Sequence, residues 1–356
     1  MKKIRKPAQK SSIALRRFRH KTFRKKIRGA VKARGFPEDK RAIALALAGI
    51  GGRSERLLAS DTQALNKAAM IFRLIMLRHL SEHPDCRLIF ATFVDDVGIT
   101  SDRSPMVHLG VLQTKVRQAL MKLGLEAFAM VEAHPLMNYP GKGLGGSILY
   151  HAHAIIFAPV DFNHKAAEDQ LNASGNWTCQ LGAPPVKLKM IKPTKRDVAR
   201  VAVYLSKPPH DVRNRMPKKG KPGRYKLMST TEGYRPGLAL RMLEGASQIE
   251  LTSLMFGVGD LGSLVRQQVR HELEAWHRLR SNEGYIVPAD FDVWRFWLEL
   301  HQQRGNKRYL PFRIDRLPTP KRPRAKSAVV PTRKRLQRDW RTANSKEDSS
   351  RQAALN

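Results

Sequence analysis

The chain has almost no cysteine, few acids and no long apolar run. Only two of its 356 residues are cysteine, Cys86 and Cys179, far apart and in no metal-type spacing. That argues against a disulfide framework and against a cysteine zinc site. It fits a reducing compartment, and the expectation is a cytoplasmic protein. No apolar stretch reaches the roughly 18 residues a membrane helix needs. The longest, AIALALAGIGG at 42–52, is too short, so no membrane partner is expected. Acids number 30 against 66 Lys and Arg, a net charge of +36. A balance that basic points to a polyanionic partner, nucleic acid above all.

The excess is unevenly placed. Residues 1–41 hold 17 Lys/Arg and 2 acids, and residues 304–341 hold 14 and 2. The body between them, 42–303, holds 33 basic and 24 acidic residues, so it is basic too. The acid-poor N-terminus reads as a nucleic-acid-binding arm, partly helical at best, rather than a transit peptide.

Between the arms the pattern alternates. An apolar stripe predicts a helix over 61–83, stopped at Pro84. RLIFATFV (87–94), LEAFAMVEAH (125–134) and SILYHAHAIIF (147–157) read as strands, with a helix over 106–123 between the first two. Residues 160–185 read as irregular or partly helical, and VKLKMI (186–191) as a further strand. TKRDVARVAVYLSK (194–207) predicts a short helix capped by Thr194, with Asp197 as its capping-box partner. A basic loop follows, then three mainly helical stretches beyond residue 236. HELEAWH (271–277) reads as helix surface, and Trp276, Trp294 and Trp297 as core. GKGLGG (141–146) lacks the Lys-Ser/Thr ending of a phosphate loop and reads as a hairpin loop. The order of elements predicts an α+β fold.

Side chains alternate along a strand, so His151 and His153 share a face. An isolated His-x-His is most simply two hydrogen-bonded core histidines. The preceding strand, however, ends in Glu132-Ala133-His134. Pairing of the two strands brings Glu132 or His134 beside the histidines as a third ligand. Two imidazoles and a carboxylate suit Mg²⁺ or Mn²⁺. Farther on, Asp197, Arg200, Tyr204 and Lys207 share one face of the 194–207 helix, with Val198, Val201, Ala202 and Leu205 toward a core. A tyrosine beside two cations can attack a metal-polarised phosphodiester.

Taken in order, FATF (90–93), the His151-Ala-His153 strand and the helix with Tyr204-x-x-Lys207 resemble the HUH endonucleases. They are closest to the rolling-circle replication initiators (Rep proteins) with a single catalytic tyrosine. In relaxases the tyrosine precedes the histidines. The resemblance spans about residues 85–210. It implies an antiparallel sheet with helices on one face, ferredoxin-like. The helical C-terminal region and the basic arms match nothing in that family and are read from periodicity and charge. The chain is thus divided into a basic arm over 1–60, a catalytic domain over 61–215, a mainly helical region over 216–303 and a basic tail over 304–356. The resemblance implies that His151, His153 and Glu132 hold Mg²⁺ or Mn²⁺, that Tyr204 is the nucleophile, and that Lys207 and Arg200 assist or hold phosphate. The activity implied is nicking and rejoining of single-stranded DNA at a replication origin through a 5′-phosphotyrosine. No helicase motif is visible, so a host helicase and polymerase are expected partners. A mobilisation relaxase or a single-tyrosine transposase would share the chemistry. A basic RNA- or DNA-binding protein without catalysis would use structural histidines.

Overall fold

The chain folds, in order, into helices α1 (Ser12–Val31) and α2 (Arg41–Leu47), strand β1 (Gly52–Ser54), helix α3 (Thr62–Glu82) and strands β2 (Arg87–Phe93), β3 (Ile99–Ser101) and β4 (Met106–Val107). Then come α4 (Leu109–Lys122), β5 (Glu126–Met137), β6 (Ser147–Ala158), α5 (His164–Ala173), β7 (Val186–Met190), α6 (Lys195–Leu205), β8 (Val212–Pro217) and β9 (Tyr225–Thr230). The chain continues through α7 (Pro236–Ser247), β10 (Met255–Val258), α8 (Gly259–Arg278), β11 (Tyr285–Val287), α9 (Val293–Gln303) and β12 (Arg313–Ile314). This computed structural model describes residues 12–103, 105–137, 139, 146–217, 219–220, 225–230, 234–280, 284–305 and 312–314. Residues 1–11 of the expected arm, 141–145 of the glycine loop and the tail from 315 onward lie outside that set.

The fold is α+β, built on one large sheet in the order β7-β2-β6-β5-β8-β9. In addition, β3 pairs with β6 and β10 with β5. The sheet is mixed, not antiparallel as expected. β5 and β8 run parallel through Leu136↔Arg213 and Met137↔Asn214. Through β2 and β6, β5 runs against β7; β8, which follows β7 by way of α6, also runs against β7 and so meets β5 in parallel.

Helices cover both faces rather than one. On the histidine face, Phe72 and His79 of α3 pack on Phe128 and Phe157. On the other, Lys115 and Arg117 of α4 lie over Trp177, which itself packs on Phe93, and over Phe256. Every residue of β6 is buried, so neither face could be left to water.

Local signals explain most boundaries. Asp61 caps α3, its Oδ1 accepting from Gln63 N at 2.8 Å and Ala64 N at 3.1 Å. Thr194 caps α6 by accepting from Asp197 N at 3.1 Å. Helix α8 lies so close to β5 that a Cβ on Gly262 would come within 2.0 Å of Ala127 O. Only glycine permits that approach.

Several expectations need correction. The basic loop after Pro209 contains the β8–β9 hairpin. The first of the expected C-terminal helices ends at Ser247, and Met255–Val258 joins the sheet against β5. Trp297 is buried and donates to Ser247 Oγ at 2.8 Å, but Trp294 is exposed. His277 turns inward, its Nε2 2.9 Å from Glu55 O.

The largest departure is at the N-terminus. Residues 12–31, read as part of an arm, form a 20-residue helix packed against α7, α6, α2 and α3. Its periodicity was hidden because its inward stripe begins with cations, Arg16, Arg19 and His20, before Phe23, Ile27, Ala30 and Val31. Phe23 is 1% exposed. Phe23→Ala should therefore cost about 3–5 kcal/mol of unfolding free energy in urea titration. An arm lying free in solvent would lose nothing.

Candidate metal centre

The antiparallel register of β5 and β6 sets the site. It pairs Glu132 with His151, Met130 with His153 and His134 with Leu149. Directly paired residues project from the same face, so Glu132 and both histidines converge. On the other side of β6, β2 places Thr92 opposite His153.

Glu132, His151 and His153 form a buried group able to hold a metal ion, their donor atoms all within 4.8 Å of one another. The two Nε2 atoms are 3.1 Å apart. For ligands about 2.1 Å from an ion and near right angles, the separation is about 3 Å. Thr92 Oγ1 lies 3.1 Å from His153 Nδ1 and orients that ring, leaving Nε2 toward the centre. The carboxylate is divided in its roles. Oε1 meets His134 Nδ1 at 2.8 Å and Lys207 Nζ at 3.0 Å. Oε2 lies 3.2 Å from His153 Nε2, yet is buried without a hydrogen bond. A buried acceptor left in that state is poorly satisfied by the protein alone, and a cation would satisfy it. His134 is committed elsewhere: its second nitrogen is 2.9 Å from Asp211 Oδ1. Of the two alternatives for a third ligand, Glu132 is the one that reaches the histidines.

The electrostatics suit ligation. Burial holds the His151 imidazole well below its ordinary range, and His153 beside it adds to the effect. Burial also lowers His153, against an opposing pull from Glu132. Both rings are thus neutral donors near pH 7. Burial alone would raise the Glu132 carboxyl, but Lys207, His134 and His153 hold it well below the usual carboxylate range. It is an anion where it is needed.

Tyr204 lies over the same face. Its ring sits edge-on to His153, centroids 5.2 Å apart, and to Phe90 at 5.5 Å. Phe90 in turn stacks on His153 at 5.0 Å. Lys207 Nζ is 3.7 Å from the centroid of the tyrosine ring. Lys207 is only 5% exposed, not the surface cation that the helical spacing suggested. Arg200 is exposed and lines a cleft of about 360 Å³ with Tyr204, Phe90, Lys189, Lys192 and Asp197. Val201 packs against the core as expected and also lines that cleft.

Thr92, Asp211 and Arg19 are neighbours of this group that sequence reasoning missed. Alternation within FATF does put Thr92 and Phe90 on one face, which is a usable signal. Asp211 and Arg19 are brought in by tertiary packing alone. No described helix is long and apolar enough to cross a membrane. No family model, curated protein or solved structure matches this chain.

A metal at this centre should be measurable. Mn²⁺ should bind the wild type in calorimetric titration and fail to bind after His151→Ala. Thr92→Val, which removes the contact orienting His153, should weaken binding about 10–100-fold. Protons and metal compete for the same lone pairs, and both imidazoles titrate below the ordinary value of 6.5. Affinity should therefore stay level as pH falls to about 6.5 and decline only below it. A decline that begins well above that pH would contradict the burial argument.

Proposed function

We propose that the protein is a metal-dependent nickase and ligase of single-stranded DNA, of the HUH replication-initiator type. The observation that carries this reading is the placement of Tyr204. It stands against a metal-capable His/His/Glu group on one side and opens onto a basic cleft on the other. The cleft has Lys189, Lys192 and Arg200 for phosphates and Phe90 for a base, the usual make-up of a single-strand groove.

A bound Mg²⁺ or Mn²⁺ would polarise the scissile phosphate and stabilise the charge that builds on it. The chain's own residues do the rest. Glu132 and the two imidazoles form the ion's seat, and Lys207 ties Glu132 to the tyrosine. The Tyr204 hydroxyl loses its proton to solvent as its oxygen bonds to phosphorus. The bond from phosphorus to the 3′ oxygen breaks, and that oxygen takes up a proton. The products are a free 3′-hydroxyl for a host polymerase and a 5′-phosphotyrosine ester. One phosphodiester replaces another, so no co-reactant is consumed. Attack by a 3′-hydroxyl reverses the step and rejoins the strand. Strand opening falls to a host helicase. A relaxase or single-tyrosine transposase would perform the same step with a different DNA product.

The test is an incubation with single-stranded DNA from the protein's own replicon and Mn²⁺, run on a denaturing gel. A covalent adduct should form with wild type. It should be absent in Tyr204→Phe and in the His151→Ala, His153→Ala double variant. DNA retained on a native gel with no adduct under any condition would leave the protein a non-catalytic binder. Adduct from Tyr204→Phe would place the nucleophile elsewhere.

A further inference from the structure

Helix α1 carries a feature the metal centre does not account for. Arg19 is only 8% exposed, and its guanidinium carbon lies 4.9 Å from the centroid of the Tyr204 ring. Two of its nitrogens, Nε and Nη1, are buried without a hydrogen-bond partner. The neighbours along the helix share the pattern. Arg16 Nε, His20 Nδ1 and Arg24 Nε are buried and unpartnered, although Arg16 Nη1 reaches Asn66 O at 3.4 Å. Burial lowers Arg19, while Tyr204, Glu132 and Asp211 act to keep its charge and Arg200 acts against it. A guanidinium does not discharge at accessible pH. Leaving its N–H groups buried and unpaired is costly unless something anionic meets them.

Arg19 thus joins Lys207 and Arg200 around one tyrosine. We infer that α1 supplies a phosphate site over Tyr204, with Arg19 as the residue that receives the non-bridging oxygens of a phosphodiester. Guanidinium matches phosphate in shape and charge and is the usual choice for it. The site's existence rests on Arg19 alone; its role in nicking rests on the function proposed above. In that role Arg19 holds the phosphate as it passes from the 3′ oxygen to Tyr204 and stays on the tyrosyl ester. A segment that looked like a nonspecific basic arm then becomes part of the catalytic site.

Two measurements on the full chain separate the claims. The first is thermal melting with and without inorganic phosphate, with chloride adjusted to constant ionic strength. Phosphate should raise the melting temperature of wild type and of Arg17→Gln, which removes an exposed charge from the same helix. Arg19→Gln should lose that rise. Without phosphate it should melt no lower than wild type, because it removes a buried cation two of whose nitrogens have no hydrogen-bond partner. The second is the single-turnover rate of adduct formation on single-stranded DNA. Arg19→Gln should slow it roughly ten- to hundredfold, the scale of one charge-assisted hydrogen bond, and Arg19→Lys should restore part of the loss. If Arg19→Gln keeps the full phosphate-induced rise, the site is not there. If the rise is lost but no protein forms an adduct, the phosphate site stands and the nickase reading falls.

Discussion

The structure depends on one buried carboxylate. Glu132 is 5% exposed and sits in the middle of the sheet. An ion in that position is tolerated only with partners, and its partners come from three places. His134 comes from its own strand, His153 from the next, and Lys207 from the turn after α6. Each bond fixes a different relation. The His153 contact holds the β5–β6 register at the histidines. The Lys207 contact holds the end of α6 down on the sheet, and so sets where Tyr204 can be. Removing Lys207 would leave the Glu132 charge in the interior without its cation, which is far more damaging than losing a surface pair.

The same logic organises the cations. On the outside, Lys187, Lys189 and Lys192 are exposed along one edge of the sheet, and Arg200 is exposed on the helix facing it. These charges remain hydrated, so their attraction for a polyanion is long-range, salt-sensitive and indifferent to sequence. On the inside, Lys207 is paired, while Arg19 has nitrogens with no protein partner. The basic excess of the chain is therefore of two kinds. In the proposed function, one kind would gather a strand into the cleft. The other would meet a single phosphate at Tyr204.

Much of this was legible in the residues, and the rest was hidden for physical reasons. Period-two alternation put His151 and His153 on one face. Short-range capping chemistry at Thr194 marked where α6 begins. The pairing of Glu132 with His151 was readable only as an option, because register depends on the partner strand. The β8–β9 hairpin is rich in Lys, Pro and Gly, residues that read as loop, and pairing supplies what propensity does not. MFGV (255–258) is too short and too apolar to declare itself strand or helix, and only the open edge of β5 decides it. Helix α1 was missed because charge dominates its composition. Nothing local distinguishes an arginine that faces water from one, like Arg19, that faces a tyrosine.

The arrangement of the two imidazoles separates a structural reading of the histidines from a ligating one. Structural core histidines normally spend both ring nitrogens on protein partners. His134 does so, between Glu132 and Asp211. His153 spends Nδ1 on Thr92, but its Nε2 faces the Nε2 of His151 and an oxygen of Glu132 that accepts no hydrogen bond. One proton shared between the two Nε2 atoms would satisfy that pair, but it would leave the carboxylate oxygen unsatisfied. A divalent cation at the point of convergence would meet both Nε2 lone pairs and the carboxylate oxygen at once. Two neutral donors and one anion would leave it a residual positive charge beside Tyr204, where in the proposed reaction a phosphodiester would bring the negative charge that answers it.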